Sequence, residues 1–379
     1  MNEETQTPPK ARYVMIGGFL GAGKTTTISK LAQMLHERGL KVGLITNDQG
    51  SELVDTAMLR SKGFATEEIS GGCFCCRFNS LVDAAGKLTE TDRPDVFIAE
   101  PVGSCTDLVA TVSYPLRRMY GADYTIAPLS VLIDPVRAAR VLGLSEGGRF
   151  SEKVRYIYRK QLEEADIIVI NKIDSVTDDN VNTLSMKLME EFPKATLFEV
   201  SAREEIGLES WFAHLWDHEQ SAHDAMPVDY ETYADGEALL GWLNATVQLR
   251  SESDFNANRF LKALTTVLQE SLTGAEAEIA HLKMTLSPDG GLNDIAVINL
   301  VRNDFVPELS QKLEDQIQSG QLIINLRAEG DPDLLRNCLE ESLSKARKEH
   351  PGVETHLDHC EHFRPGKPEP THRLETMND

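Results

Sequence analysis

The feature that most constrains this chain is the segment from Gly18 to Thr25, which reads Gly-x-x-x-x-Gly-Lys-Thr. An apolar run at residues 13–16 precedes it, as in a buried parallel strand, and an amphipathic helical pattern follows it. Strand, glycine-rich loop and helix are the context of a phosphate-binding loop, whose backbone N–H groups point at phosphate oxygens. The helix N-terminus adds partial positive charge. The segment therefore predicts that the chain binds a nucleoside triphosphate.

Two side chains of this loop have expected chemical roles. Lys24 should reach the terminal phosphates and stabilise charge on the phosphoryl group during transfer, so we predict that it is catalytic. The Thr25 hydroxyl should ligate Mg²⁺. The residues predicted to bind the nucleotide here are Gly18, Gly21, Ala22, Gly23, Lys24, Thr25 and Thr26.

A second apolar strand at residues 41–46 follows the predicted helix, which should end near Gly39. This order indicates a parallel crossover and therefore an α/β fold, a parallel sheet with helices on both faces. Acidic residues come next, where a mobile switch of a triphosphatase would meet Mg²⁺. We predict that Asp48 binds the metal ion and that Asp55 takes part in catalysis, whereas Glu52 fits a solvated surface carboxylate.

Three of the six cysteines, Cys73, Cys75 and Cys76, fall within four residues and directly follow two glycines. Thiolates at this spacing can share one transition metal ion, and zinc held by three sulfurs keeps one of its four positions open. Sulfur alone does not choose among zinc, cobalt, nickel and Cu(I). Arg77 is expected to lower the pKa of these thiols. A redox-active dithiol is the alternative that the pattern leaves open.

A third apolar strand ends at Glu100, at the edge of the sheet where α/β proteins bind ligands. We predict that Glu100 holds Mg²⁺ through water or positions the attacking water. Gly103 should offer a backbone N–H to the terminal phosphate. Cys105 follows two residues later, and the sequence leaves open whether it joins the metal site or is a small buried residue.

The segment Asn171-Lys172-Ile173-Asp174 follows another buried strand. The Asp174 carboxylate can accept two hydrogen bonds from guanine N1–H and N2–H₂, and adenine offers no such pair. The Lys172 side chain can pack along the base, and Ser201 and Ala202, after a sixth strand, should complete the base site. The segment therefore predicts that the nucleotide is GTP.

Composition excludes several kinds of partner. The chain carries 38 basic and 60 acidic residues, a formal net charge of −22, which repels nucleic acid and anionic lipid. No secretory signal pattern stands at the N-terminus, and no apolar stretch approaches the length of a membrane span. We therefore expect no nucleic acid or membrane partner and a cytoplasmic location.

The second part of the chain has a different pattern. After a polar linker at about 222–236, alternating strands and amphipathic helices predict a small α+β layer with helices on one face. We predict a P-loop domain at 10–222, an α+β client or metal-transfer domain at 237–350 and a tail at 351–379. The sequence leaves open whether this tail is ordered or binds metal through His356, His359, Cys360, His362 and His372.

These motifs, in this order, resemble the CobW-type GTPases, a family of metallochaperone GTPases in the SIMIBI class of P-loop proteins. The segments that carry the resemblance are Gly18 to Thr25, Asn47 to Gly50 with Asp55, Gly71 to Cys76, Glu100 with Gly103, and Asn171 to Asp174. The resemblance implies metal-dependent GTP hydrolysis, a metal held by the cysteines, and a C-terminal domain that helps to recognise a client. The chain departs from the family pattern at Asp48, where glutamate is usual, and at Pro101-Val102, where small hydroxyl residues are usual.

We therefore expect an enzyme that hydrolyses GTP to GDP and phosphate and couples its nucleotide state to metal delivery. Its cofactors would be GTP, Mg²⁺ and zinc or cobalt, and its partner a client metalloprotein or cofactor pathway. Whether it forms a homodimer stays open. Two other functions fit the same residues: a GTP-dependent regulatory switch with redox-sensitive cysteines, and a metal-buffering protein with a structural nucleotide site.

Overall fold

The computed structural model describes residues 9–47, 59, 63–148, 150–221, 224–290 and 294–376. The strands of its N-terminal part are β1 (Ala11–Gly18), β2 (Val42–Asn47), β3 (Ala65–Ile69), β4 (Val96–Glu100), β5 (Tyr124–Ile126), β6 (Ser130–Ile133), β7 (Ile167–Ile170) and β8 (Thr196–Glu199). They pair in parallel in the order β3-β2-β4-β1-β6-β7-β8, with β5 beside β1. The carboxyl ends of β1, β4 and β7 therefore meet at one edge of the sheet.

Helices connect these strands and cover the sheet. They are α1 (Lys24–Glu37), α2 (Phe78–Asp92), α3 (Tyr114–Tyr120), α4 (Pro135–Val141), α5 (Glu152–Glu164), α6 (Asp178–Glu191) and α7 (Leu208–Asp217). Alternate residues of β1 enter different cores: Tyr13 and Met15 belong to one buried cluster, Val14 and Ile16 to another. A strand that is buried on both sides reads as a continuous apolar run. The predicted α/β class is confirmed.

The C-terminal part is built on a second sheet, which is antiparallel. Its elements are α8 (Tyr230–Leu239), β9 (Leu240–Phe255), α9 (Ala257–Gly274), β10 (Glu278–Pro288), β11 (Ala296–Leu300), β12 (Glu308–Gln311), β13 (Ile317–Glu329), α10 (Pro332–Glu349) and β14 (Val353–Phe363). The strand order is β12-β11-β10-β13-β9-β14.

The two faces of this second sheet differ in polarity. Leu243 and Val247 of β9 share a buried apolar cluster with Phe260 of α9 and Leu339 of α10, so both helices cover one face. Residues at the alternate positions, such as Asn244 and Thr246, are buried and polar. The predicted α+β layer with helices on one face is confirmed. The other face of the sheet is polar and faces the first domain.

The linker predicted at about 222–236 is wrong for its second half, because residues 230–239 form α8. The Asp229 side chain accepts hydrogen bonds from the backbone N–H groups of Glu231 and Thr232 and so begins the helix. Tyr233 and Glu237 are buried. The helix was missed because its apolar residues do not form a stripe at helical spacing.

Residues 353–363 of the predicted tail, whose order the sequence left open, form β14 and pair with β9 at the edge of the sheet. Val353, Leu357 and Cys360 of this strand pack against the second core, and exposed histidines and acids occupy positions between them. No helix of the described ranges has both the length and the apolarity that crossing a bilayer requires.

Candidate functional site

The phosphate-binding loop lies where the sequence places it, between the end of β1 at Gly18 and the start of α1 at Lys24. Gly23 has φ 94°, and a Cβ there would stand 2.4 Å from the Asn171 side-chain nitrogen, so only glycine fits. Lys24 is buried and its Nζ donates to the Gly18 carbonyl over 2.9 Å. The lysine is therefore held inside the loop that should wrap the phosphates.

Two oxygen-bearing side chains meet beside this loop. Thr25 Oγ1, on the first turn of α1, donates to Glu100 Oε1, at the end of β4, over 3.1 Å, and both residues are buried. Hydroxyl and carboxylate oxygens are the ligands that Mg²⁺ prefers, so this pair fits a magnesium ion. Asp48 and Asp55, the other acids predicted for this ion and for catalysis, lie outside the described residues, as does Glu52.

Two side chains, those of Asn171 and Lys172, tie the predicted base loop to the phosphate loop. Asn171 Nδ2 donates to the Ala22 carbonyl over 2.9 Å, and its Oδ1 accepts from the Ala202 N–H over 3.0 Å. Lys172, with φ 61°, donates from Nζ to the Gly21 carbonyl over 2.6 Å. Asp174 accepts a 2.5 Å hydrogen bond from the Ser201 hydroxyl, which orients its carboxylate.

A buried carboxylate that the sequence analysis missed joins this loop to the second domain. Asp134 follows β6, and its two oxygens contact Lys172 Nζ at 3.1 Å and Arg302 Nη1 at 2.8 Å. Burial alone would raise the pKa of Asp134, but the two cations and the Arg137 backbone N–H hold it at about 2. The position of Asp134 at the end of a strand could have marked it as a site residue. Nothing in the sequence around Arg302 indicated that it would pair with Asp134.

Arg137, another missed residue, fastens the second domain to the phosphate loop. The guanidinium is buried and donates to the Leu20 carbonyl over 3.0 Å and to the Ala280 carbonyl over 3.1 Å. It also donates to the carbonyls of Ile279 and Val301. Four main-chain oxygens from two domains thus share one cation, which fixes β10 and β11 against the loop.

A cavity of about 360 Å³ lies between the phosphate loop, the base loop and the polar face of the second sheet. Of the residues predicted for nucleotide binding or catalysis, those lining it are Gly21, Gly23, Lys24, Thr25, Thr26, Glu100, Gly103, Asn171, Lys172, Asp174 and Ala202. Gly18, Ala22 and Ser201 do not line it and instead hold lining residues by the hydrogen bonds above. The opposite wall, not predicted, includes Trp242, His281, Lys283, Asn299, Asn325 and Arg327.

The three clustered cysteines converge at the start of α2. The Sγ of Cys73 lies 2.6 Å from that of Cys75 and 3.2 Å from that of Cys76, and the Cys75–Cys76 distance is 3.7 Å. Among the described residues, this is the set of cysteine, histidine and acidic groups whose ligand atoms all lie within 4.8 Å of one another. Three soft donors at this separation can bind one thiophilic ion.

The neighbouring thiols, not Arg77, set the pKa values of the cluster. Hydrogen bonding with Cys105, Cys75 and Cys76 lowers the pKa of Cys73 well below its usual range. Hydrogen bonding with Cys105, Cys73 and Cys76 raises the pKa of Cys75. Hydrogen bonding with Cys73 raises the pKa of Cys76 to about 11. Arg77 donates instead to the Gly71 carbonyl, at 3.2 and 3.0 Å, so the expected effect of Arg77 is corrected.

The cysteine cluster is connected to the nucleotide cavity through Asn47. This buried residue lines the cavity, and its Nδ2 donates to the Ile69 carbonyl over 2.9 Å and to the Gly72 carbonyl over 2.7 Å. Gly72 directly precedes Cys73. One amide group therefore spans from the wall of the cavity to the backbone of the first cysteine.

The C-terminal segment closes over the same cysteines. The Glu369 N–H donates to Cys76 Sγ over 3.2 Å, and the Thr371 N–H donates to the Cys75 carbonyl over 2.8 Å. His372 packs edge-to-face on Phe78. The tail histidines that we left open as metal ligands do not join the cysteines in a ligand group within the described part of the chain.

A parallel sheet, a Gly-x-x-x-x-Gly-Lys-Thr loop and an Asn-Lys-x-Asp loop that close on one cavity define the class of P-loop GTPases. Residues 12–198 match the family described as CobW/HypB/UreG, nucleotide-binding domain. This part of the chain is therefore similar to the nucleotide-binding domain of that family.

Curated relatives match at moderate identity. A protein named zinc chaperone CobW from Sinorhizobium sp is 28% identical over 255 residues, which cover 57% of this chain and 69% of that protein. Zinc chaperone YeiR from Escherichia coli is 33% identical over 178 residues, 46% of this chain and half the length of that relative. The chain also matches the structure of Zn(II)-bound YjiA GTPase from Escherichia coli. The match covers 88% of this chain and 99% of the YjiA chain, with 14% sequence identity and a TM-score of 0.34.

Proposed function

We propose that this chain is a GTP-hydrolysing metallochaperone that carries zinc, or cobalt, on Cys73, Cys75 and Cys76. It hands the ion to a client metalloprotein or a cofactor pathway, and its nucleotide state controls the handover. The relatives named zinc chaperones support zinc as the first choice of cargo. Free thiols require a reducing compartment, so we place this function in the cytoplasm.

The nucleotide half of the proposal assigns each group a task. Backbone N–H groups of the loop and Lys24 hold the phosphates, and Lys24 stabilises the charge that develops on the transferred phosphoryl group. Thr25 and Glu100 hold Mg²⁺, which neutralises phosphate charge when bound, with Asp48 as a further ligand. Glu100 also positions the attacking water, with Asp55 assisting from the switch, and Gly103 donates its N–H to the terminal phosphate.

Base selection rests on the loop that follows β7. Asp174, oriented by Ser201, accepts the two guanine donors, and the Lys172 stem lies along the base while its ammonium group stays anchored on Gly21 and Asp134. Asn171 keeps the base loop in register with the phosphate loop. Because adenine would leave the carboxylate without donors, GTP is the proposed substrate.

The observation that carries the proposal is the bridge made by Asn47 between the nucleotide cavity and the backbone at Gly72. A shift of β2 on nucleotide binding would move the cysteine loop, and the affinities of the two sites would then change together. A structural nucleotide site beside a metal buffer would need no such bridge.

One observation favours the second candidate, a thiol switch that responds to oxidants. Cys73 and Cys75 lie 2.6 Å apart, and the lowered pKa of Cys73 favours a reactive thiolate. Under this function mild peroxide would join two cysteines, and the reduced protein would bind zinc no more tightly than micromolar.

The test combines zinc titration against a chelator with a GTPase assay on reduced protein. We expect tight zinc binding in the full chain, its loss in Cys75→Ala, and retention in Cys338→Ala, which alters a buried cysteine of the second domain. We also expect Mg²⁺-dependent GTP hydrolysis. Weak zinc binding together with oxidation of the cluster would favour the thiol switch instead. Light scattering of the same samples tests whether the protein forms a homodimer.

A further inference from the structure

A fourth thiol lies beside the cysteine cluster. Cys105 is buried, 1% exposed, and belongs to the same buried core cluster as Cys73 and Cys75. Contact with its thiol lowers the pKa of Cys73 and raises that of Cys75. Cys105 stands outside the group of sulfurs that are all within 4.8 Å of one another. Its surroundings differ from those of Cys338, which packs among leucines of α10 in the second core.

The chain segment that carries Cys105 begins in the nucleotide cavity. Glu100 ends β4, Gly103 lines the cavity two residues before Cys105, and a Cβ at Gly103 would come within 2.8 Å of the Leu20 side chain in the phosphate loop. A displacement of this segment by nucleotide would therefore be transmitted to the Cys105 sulfur, five residues after Glu100.

Side chains from two helices hold the segment in its present position. Gln161 Nε2 of α5 donates to the Gly103 carbonyl over 2.9 Å and to the Cys105 carbonyl over 2.8 Å. The Ser104 hydroxyl donates to Glu237 of α8 over 2.6 Å. These contacts fix the backbone on both sides of Cys105.

Tetrahedral coordination by four sulfurs is the closed form of a zinc site, and three sulfurs leave a position open for exchange. We propose that Cys105 is the fourth ligand of the transition metal held by Cys73, Cys75 and Cys76, and that the nucleotide site controls whether it is bound. On binding, the Cys105 thiol loses its proton to solvent as the sulfur–metal bond forms. This inference rests on the proposed metallochaperone function and adds the ligand that closes and opens the site.

The experiment uses Co²⁺ as the probe, because its thiolate charge-transfer absorption counts sulfur ligands. The absorption is measured for the full chain with Mg²⁺ and a non-hydrolysable GTP analogue, and again with GDP. In one of these two nucleotide states, the charge-transfer absorption should have the intensity expected for four sulfur ligands. Cys105→Ser should lose about a quarter of that intensity, as one ligand of four, and should bind Co²⁺ at least about tenfold more weakly. Cys338→Ser, the matched buried control, should match the parent chain in both measurements.

The other nucleotide state should reduce the parent chain to the intensity of Cys105→Ser. Unchanged intensity and affinity in Cys105→Ser, with both abolished in Cys75→Ala, would show that Cys105 only fills space while the metallochaperone function stands. If the parent chain does not bind Co²⁺ at all, the proposed metallochaperone function itself is rejected. X-ray absorption on the parent chain counts the sulfurs without any variant, so a variant that fails to fold does not decide the outcome.

Discussion

At the scale of single residues, Asp174 should decide which base is bound. In Asp174→Asn the side chain keeps its size and an oxygen for Ser201, but its amide NH₂ group would face the guanine donors. Because each hydrogen bond to a charged group contributes about 1.5–3 kcal/mol, we expect GTP affinity to fall at least about tenfold. Titration with fluorescent nucleotides measures this affinity. Xanthosine triphosphate has a carbonyl group where guanine has its amino group, so its affinity for Asp174→Asn should rise.

Asp178→Asn, an exposed acid at the start of α6, is the control for this substitution. Its nucleotide affinities should equal those of the parent chain. A preference for GTP that is unaltered in Asp174→Asn would mean that the carboxylate does not read the base and would reopen the question of ATP.

Glu237 is a second residue with a specific expected effect, here on stability. Burial first, and the nearby Cys73 second, raise the pKa of Glu237 to about 8. An unfolded glutamate loses its proton near pH 4.5 while the folded one keeps it to about pH 8, so stability falls as pH rises through that interval. Glu237→Gln should therefore raise the melting temperature at pH 8 and leave it unchanged near pH 4.5.

Thermal melts at the two pH values measure this difference, and Glu231→Gln on the exposed side of α8 serves as the control. The neutral amide can still accept the hydrogen bond from Ser104. An equal change in melting temperature at both pH values would show that packing, and not the proton, is responsible.

At the scale of elements, the C-terminal segment should protect the cysteine cluster. Arg373 pairs with Asp107 at 2.8 Å, the Asp107 side chain is only 2% exposed, and the Leu374 N–H donates to the Ala110 carbonyl. Arg373→Met would leave a buried carboxylate without its cation, a loss of about 3–5 kcal/mol for a buried pair. The segment should then detach more often, and Cys76 should react faster with a thiol reagent.

Labelling rates under native conditions measure this prediction. Arg364→Met, which breaks an exposed ion pair with Asp331, is the control and should leave the rate unchanged. Equal labelling rates in all three proteins would mean that the segment does not limit access to the cluster.

Element by element, the sequence predicted what depends on local pattern. Strands β1, β4 and β7 were recognisable because strands buried on both faces are apolar runs, and the loops at their ends carry the predicted site residues. The helix α8 was missed because its apolar residues form no stripe at helical spacing. The edge strand β14 was missed because it has few apolar residues and its pairing register shifts between Leu357 and His359, which breaks the alternation. Arg302 could not be predicted as a partner of Asp134, 168 residues away, since long-range pairing leaves no local signal.

At the scale of the whole molecule, the second domain should contribute directly to nucleotide binding. Lys283 and Arg327 are buried on the polar face of the second sheet and line the cavity opposite the phosphate loop. Two cations facing a polyphosphate in a site of low dielectric should favour the nucleotide with more charge. We expect Lys283→Met to weaken binding of the GTP analogue more than binding of GDP, as measured by calorimetry.

Lys262→Met, on the exposed side of α9, is the matched control and should leave both affinities unchanged. Equal weakening of GTP-analogue and GDP binding in Lys283→Met would show that this lysine supports the cavity without sensing the terminal phosphate. Unchanged affinities for both nucleotides in Lys283→Met would mean that Lys283 of the second domain does not contribute to nucleotide binding.

The central claim is that one conformational change links the nucleotide cavity to the cysteine cluster. Linkage between two sites is reciprocal and typically changes each affinity by about 5- to 150-fold. The most direct test measures zinc affinity with Mg²⁺ and the GTP analogue, and again with GDP, and then nucleotide affinity with and without zinc. We predict that the ratio of zinc affinities between the two nucleotide states exceeds about fivefold, and that zinc changes the ratio of nucleotide affinities by the same factor. Zinc affinities that are equal in both nucleotide states would contradict the claim.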